Sequence, residues 1–230
     1  MFLILWLVRR LAILALLLAI PIVVGELVAR KLVGDTVRSQ VMARFGGSPS
    51  VGFGSTPLLL QLVEGHLNVN MSDTQAAISG LPPVSLTASF NDIRLTSLLG
   101  VHGVIGSVTA QASLGPTGVR DLLATSGCIT ALPAMVAADL TDHPRVRIAR
   151  GRVTLLPPHG RAVVVRVVPT AVANKVDFNA ASRVGGVPAG SAACVASLGS
   201  LPFALALDSA TAEHGSLDLA LAGRGARFTG

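Results

Sequence analysis

The chain has no tyrosine, a single tryptophan (Trp6), and aromatic residues at only 3% of its 230 positions. Proteins that hold single-stranded nucleic acid regardless of sequence stack bases on aromatic rings. The net charge of +6 therefore points to an anionic membrane surface and not to nucleic acid. Charge is scarce too: 13% of residues carry one, where an ordinary soluble domain has about 25%. The 12 acidic residues stand mostly alone in polar turns, which leaves little for a paired-carboxylate site. There is no G-x-S-x-G elbow, Walker loop, G-x-G-x-x-G turn or C-x-x-C pair, so the usual marks of hydrolases, nucleotide enzymes and thiol chemistry are missing. The chain reads as a binding module and not an enzyme, with no cofactor.

Metal ligands are equally thin. The five histidines are isolated, and Asp139, Asp142 and His143 form a turn before a strand more simply than a metal site. Cys128 and Cys194 are the only cysteines. In an exported chain they fit a disulfide, and they fit equally well as two small buried apolar residues beside Ile129 and Val195.

What the sequence does have is apolar residues, 51% of the total, with Ala, Val and Leu abundant along its whole length. A groove for an apolar ligand would use that surplus. The N-terminus reads as an export element: Arg9 and Arg10 precede the uncharged run Leu11–Val24, broken only by Pro21. Its 14 residues match a signal-peptide core and fall short of the ~20 that span a bilayer as a helix. A cleaved leader and a retained anchor therefore both fit. The division expected is a leader or anchor over 1–25 and a single domain with a groove for an apolar ligand over 26–230, on the extracytoplasmic (periplasmic) side of the cell membrane, or secreted if the leader is removed.

From Glu26 to Phe45, Val33, Val37, Val41 and Phe45 recur every fourth residue, the period of an amphipathic helix; Gly46, Gly47 and Pro49 supply its stop. The period then becomes two, in His66–Met71, Val84–Leu95, Ile105–Leu114, Val146–Leu156, Ala162–Val168, Phe203–Leu207 and Leu217–Leu221. These are strands with one wet face. No βαβ rhythm appears, and Gly118–Asp139 is left for one or two short helices. The fold class expected is α+β: an N-terminal transmembrane or signal helix, then an amphipathic helix on a strongly curved antiparallel sheet enclosing an apolar cavity.

Basic residues are unevenly spread, with only Arg94 between Gly46 and Val119 while Arg145, Arg147, Arg150, Arg152, Arg161 and Arg166 crowd one stretch. Arg145 and Arg147 leave one face of a strand, where guanidinium suits phosphate oxygens. They are the headgroup candidates.

The segments Ala43-Arg44-Phe45-Gly46, Pro49-Ser50-Val51-Gly52-Phe53, Thr56-Pro57-Leu58-Leu59-Leu60-Gln61-Leu62-Val63-Glu64-Gly65 and Leu67-Asn68-Val69-Asn70-Met71 resemble the opening of the LmeA-like family of actinobacterial envelope proteins. Leu201-Pro202-Phe203-Ala204-Leu205-Ala206-Leu207, Gly215 and Leu217–Leu221 resemble its closing hairpin. The likeness runs from about Glu26 to Gly223, and departs where the family has Phe-Pro-Phe-Leu and this chain has Ser55-Thr56-Pro57-Leu58. It implies a secreted or anchored protein that binds phospholipids including phosphatidylinositol, with a fold like the tubular lipid-binding domains.

The lipid-contacting candidates are then Val37, Val41, Phe45, Pro57, Leu58, Leu59, Leu62, Leu201, Pro202 and Phe203. Each CH₂ taken from water contributes ~0.8 kcal/mol, against about 0–1 kcal/mol for an exposed ion pair, so acyl chains would carry the affinity. The function expected is non-catalytic binding, or shuttling, of phospholipid, anionic ones such as phosphatidylinositol foremost. A second class also fits: a membrane-anchored scaffold docking an envelope enzyme of glycolipid assembly.

Overall fold

A computed structural model of the chain describes residues 2–45, 47–78, 81–97, 102–128, 144–156, 163–170, 174–180 and 192–229. The turn at Asp139–His143, any second helix after residue 128, and Arg161 lie outside them. Helix α1 runs unbroken from Phe2 to Phe45 through Pro21, so the expected leader and amphipathic helix are one element. Its rear half turns Val33, Val37 and Val41 toward the core; the side chain of Phe45 lies outside the described residues. Among those residues no helix is long and apolar enough to cross a membrane.

The alternating segments form two antiparallel sheets. The larger contains β1 (Ser50–Gly52), β2 (Leu67–Ala76), β3 (Val84–Ser97), β4 (His102–Leu114), β10 (Ala206–Glu213) and β11 (Ser216–Thr229), in the order β1-β2-β3-β4-β11-β10. The smaller contains β5 (Arg145–Ala149), β6 (Arg152–Leu156), β7 (Val163–Thr170), β8 (Lys175–Ala180) and β9 (Ala192–Ser197) in sequence order. Helix α2 (Leu58–Glu64) follows β1, and α3 (Pro116–Thr125) follows β4.

The expectation of one strongly curved sheet around an apolar cavity is corrected on this point. The large sheet ends at β1 and β10, which do not pair, so it is open and not closed on itself. Register explains where the apolar side chains go. Met71, Ala88, Ala110, Leu221 and Leu207 occupy one row across five strands, all buried. The next row, Ser50, Ser72, Thr87, Gln111 and Ala220, falls on the opposite face because side chains alternate. The apolar face is covered by α1 and α2 near β1, and by the small sheet near β10. There Gly151 N–H donates to Ala212 O at 2.7 Å, and Leu207 N–H donates to Asn174 Oδ1 at 3.0 Å.

Two stretches read as single strands are not. Val146–Leu156 is a hairpin that turns at Arg150 and Gly151, with φ of 51° and 71°. Phe203–Leu207 begins as a 3₁₀ turn over Pro202–Ala204, and β10 starts only at Ala206. That turn lies against Gly223, where a β-carbon would come within 2.9 Å of the Phe203 and Ala204 carbonyl oxygens. The missing side chain admits the turn, and Phe203 then meets Phe90 edge-on at 5.4 Å between ring centroids.

Candidate functional site

The residue that organises the N-terminal end is Glu26, which periodicity gives no means of singling out. Its Oε1 accepts from Leu58 N–H at 2.6 Å, its Oε2 from Leu59 N–H at 2.9 Å, and Arg30 Nε donates to Oε1 at 2.6 Å. The first turn of α2 has no cap of its own, since Pro57 makes no side-chain cap bond, so a carboxylate from α1 satisfies its free amides. Gln61, also buried, completes the bracing. Its Nε2 donates to Phe53 O and Thr56 O, both at 3.0 Å, and its Oε1 accepts from Asn68 N–H at 2.8 Å.

The Leu59 amide, the Arg30 side chain and the Leu58 amide, in that order, hold the Glu26 carboxyl at a pKa of about 2, below the usual 4.5. The folded state therefore binds this proton less readily than the unfolded chain. The clamp's contribution is full above pH 4.5 and is lost as pH falls toward 2. Thermal melts from pH 6 down to pH 2 should show the wild-type advantage over Glu26→Gln shrinking across that window. A constant difference would mean that the carboxylate charge is not what holds α2.

The apolar candidates fall into two groups on one continuous core. At the β1 end, Val41 and Leu58 are buried and Val37, Leu59 and Leu62 half-buried, while Pro57 is exposed; Leu59 packs over Gly25. Leu201, Pro202 and Phe203 are half-buried at the 3₁₀ turn. The first group packs at β1 and β2 and the second against β11, where Phe203 also meets Phe90 of β3.

The arginines sit apart from both groups. Arg145, Arg147 and Arg152 share the exposed face of the β5–β6 hairpin with Leu156, and Arg150 is exposed at its turn. Val146, Ile148, Val153 and Leu155 take the inner face. Arg152 is registered opposite Arg166 on β7. Among the described residues none of Arg145, Arg147, Arg150 and Arg152 makes an ion pair, so the hairpin presents uncompensated positive charge. Cys128, three residues past α3, is disulfide-bonded to Cys194 on β9.

A groove of about 880 Å³ lies over the large sheet, on its polar side. It is lined by Asn70, Ser72, Thr87, Thr109, Gln111 and Asp208, with alanines and further hydroxyl residues between them. None of the apolar candidates lines it, and it has neither an arginine nor a lysine to hold a phosphate. Among the described residues no three His, Cys, Asp or Glu side chains gather to hold a metal ion.

The profile of a family described as LmeA-like phospholipid-binding matches residues 22–222. No curated protein and no solved structure matches the chain.

Proposed function

Because the chain belongs to the LmeA-like phospholipid-binding family, we propose that it is a non-catalytic phospholipid binder of the cell envelope, attached to the membrane by the apolar front of α1 and selective for anionic lipids such as phosphatidylinositol. Family membership carries lipid binding itself. The preference for anionic lipid rests on one observation, the four exposed arginines of the β5–β6 hairpin, which have no acidic partner among the described residues. Val37, Val41, Phe45, Pro57, Leu58, Leu59 and Leu62 on one side and Leu201, Pro202 and Phe203 on the other are the acyl-contacting groups in this reading, with Arg145 and Arg147 meeting headgroup phosphate. Residues 1–25 serve as the attachment and 26–230 as the lipid-binding domain on the extracytoplasmic side, shuttling lipid where a second membrane or protein accepts it.

A guanidinium near an anionic bilayer surface contributes about 1 kcal/mol. Replacing Arg145 and Arg147 together with Gln should therefore weaken binding to phosphatidylglycerol-containing vesicles by about 30-fold at low salt, every 1.4 kcal/mol being tenfold. The difference should shrink as salt screens the surface. Thermal stability and uptake of a neutral lipid should hardly change. Equal vesicle binding by wild type and double variant at low salt would reduce these arginines to a solvated outer face.

A further inference from the structure

Exposed large apolar side chains are concentrated in one region. On α1, residues 19–24 are all exposed, and Leu27, Val28 and Leu32 remain more than half exposed. Six consecutive helical residues at about 100° each cover every side of the helix. A protein partner covers one side; only a medium that is apolar in all directions covers them all, and that medium is the interior of a bilayer. The run Leu11–Val24 is ~21 Å long as a helix, against a hydrocarbon thickness of about 30 Å.

Helix α2 lies where that run ends. Leu59 packs over Gly25, and the Glu26 carboxylate holds the Leu58 and Leu59 amides, so α2 is fixed to α1 within two residues of the last apolar position. Its inner face is Leu58 and Gln61, both buried; its outer face carries Leu60, 47% exposed, and Val63, 85% exposed. Positions three apart lie on one side of a helix. The next residue, Glu64, is charged, and its carboxylate lies 3.3 Å from His66 Nε2. Apolar residues on the outer side of a short helix, continuous with an all-round apolar stretch and followed at once by the charged Glu64, match the layering of a bilayer from acyl chains to headgroups.

We propose that α2 is a membrane seat: Leu60 and Val63 insert at the acyl boundary of the bilayer that holds the front of α1, and the Glu26 clamp keeps the two helices at that depth together. This rests on the attachment proposed above and adds a second, distinct contact with the lipid surface. It turns the β1 end of the large sheet toward the membrane that holds α1, so the arginine hairpin near β10 is left for the phosphate of a bound lipid or of a second, apposed membrane.

The test uses the full chain in vesicles of phosphatidylcholine and phosphatidylglycerol. Both native cysteines are engaged in the disulfide, so Val63→Cys, Val23→Cys and, as an aqueous reference, Thr109→Cys each offer one thiol for a nitroxide label. All three positions are exposed, and an unaltered melt checks that each labelled variant is folded. Access of dissolved oxygen relative to a water-soluble nickel chelate is then read by electron paramagnetic resonance. The ratio should be severalfold higher at 63 and at 23 than at 109. A lipid-like value at 23 with a value at 63 equal to that at 109 overturns the seat and leaves the attachment standing. Aqueous values at both positions overturn the attachment, and the seat with it.

Discussion

Replacing Cys128 and Cys194 with alanine should lower the melting temperature of the folded chain by roughly 10 °C, at about 2–4 °C per kcal/mol for a domain of this size. The bond joins residues 66 apart in sequence, and the segment it closes includes β5, β6, β7 and β8. In the chain-entropy account a closed loop of that length stabilises the folded state by ~4 kcal/mol, because the unfolded chain loses the freedom to separate its ends. The location sharpens the expectation. Strand β9 is an edge strand, paired only with β8, and Cys194 ties it back to the end of α3, which is anchored through Val119, Leu122 and Leu123. Without the bond, the small sheet is held by β10, through links such as the Gly151 and Asn174 hydrogen bonds, and its last strand should fray first. Reductant added to the wild type should reproduce the loss seen with the double alanine variant, and hydrogen exchange should rise first in β8 and β9. A midpoint unchanged by reductant would show that the bond stabilises nothing.

An effect of similar size is expected from Val41→Asp. Val41 is the most deeply buried of the three valines that α1 presents to the core, and an ionised carboxylate placed there without a partner should cost about 3 kcal/mol or more. Val37 is half-buried, so its carboxylate keeps part of its hydration and Val37→Asp should cost clearly less. Chemical denaturation of both variants reads the gradient directly. Equal midpoints for the two would contradict a helix whose contact with the sheet deepens toward its end.

Much of the fold could be read from alternation. Leu67–Met71, Val84–Leu95, Ile105–Leu114 and Leu217–Leu221 each place one residue in two against the core, and each lies within a strand of the large sheet. Alternation says that a strand has a wet face and a dry one; it does not say which strands pair. That is why one sheet was expected where β10 and β11 return to the first group and β5–β9 form a second. Strand β9, Ala192-Ala193-Cys194-Val195-Ala196-Ser197, gave no signal because its small residues hardly differ in polarity. The hairpin turn at Arg150 was masked because arginine at positive φ has no sequence signature, although Gly151 beside it is a familiar turn residue.

At the candidate site, the spacing of Arg145 and Arg147 correctly placed both on one exposed face, while Arg150 belongs to the turn. Glu26 could not be found from local pattern, since its partners lie 32 and 33 residues further along. The same holds for Gly223, whose role depends on a carbonyl brought to it by a distant segment. The groove over the large sheet was missed for another reason: an apolar composition suggested an apolar cavity, but strand alternation had already committed those side chains to the opposite face.

The unbroken course of α1 through residue 25 has a mechanical consequence. Twenty residues of flexible chain have a root-mean-square reach of about 25 Å in every direction, whereas the same length of helix is a strut of ~30 Å with one direction. A domain on a leash samples all orientations and meets a surface with any of its sides. A domain on a strut, locked to that strut by Glu26 and by Val41, is left with tilt and spin about a single axis, so its aspect toward whatever holds the front of the helix is decided once, at folding, and not anew at each encounter.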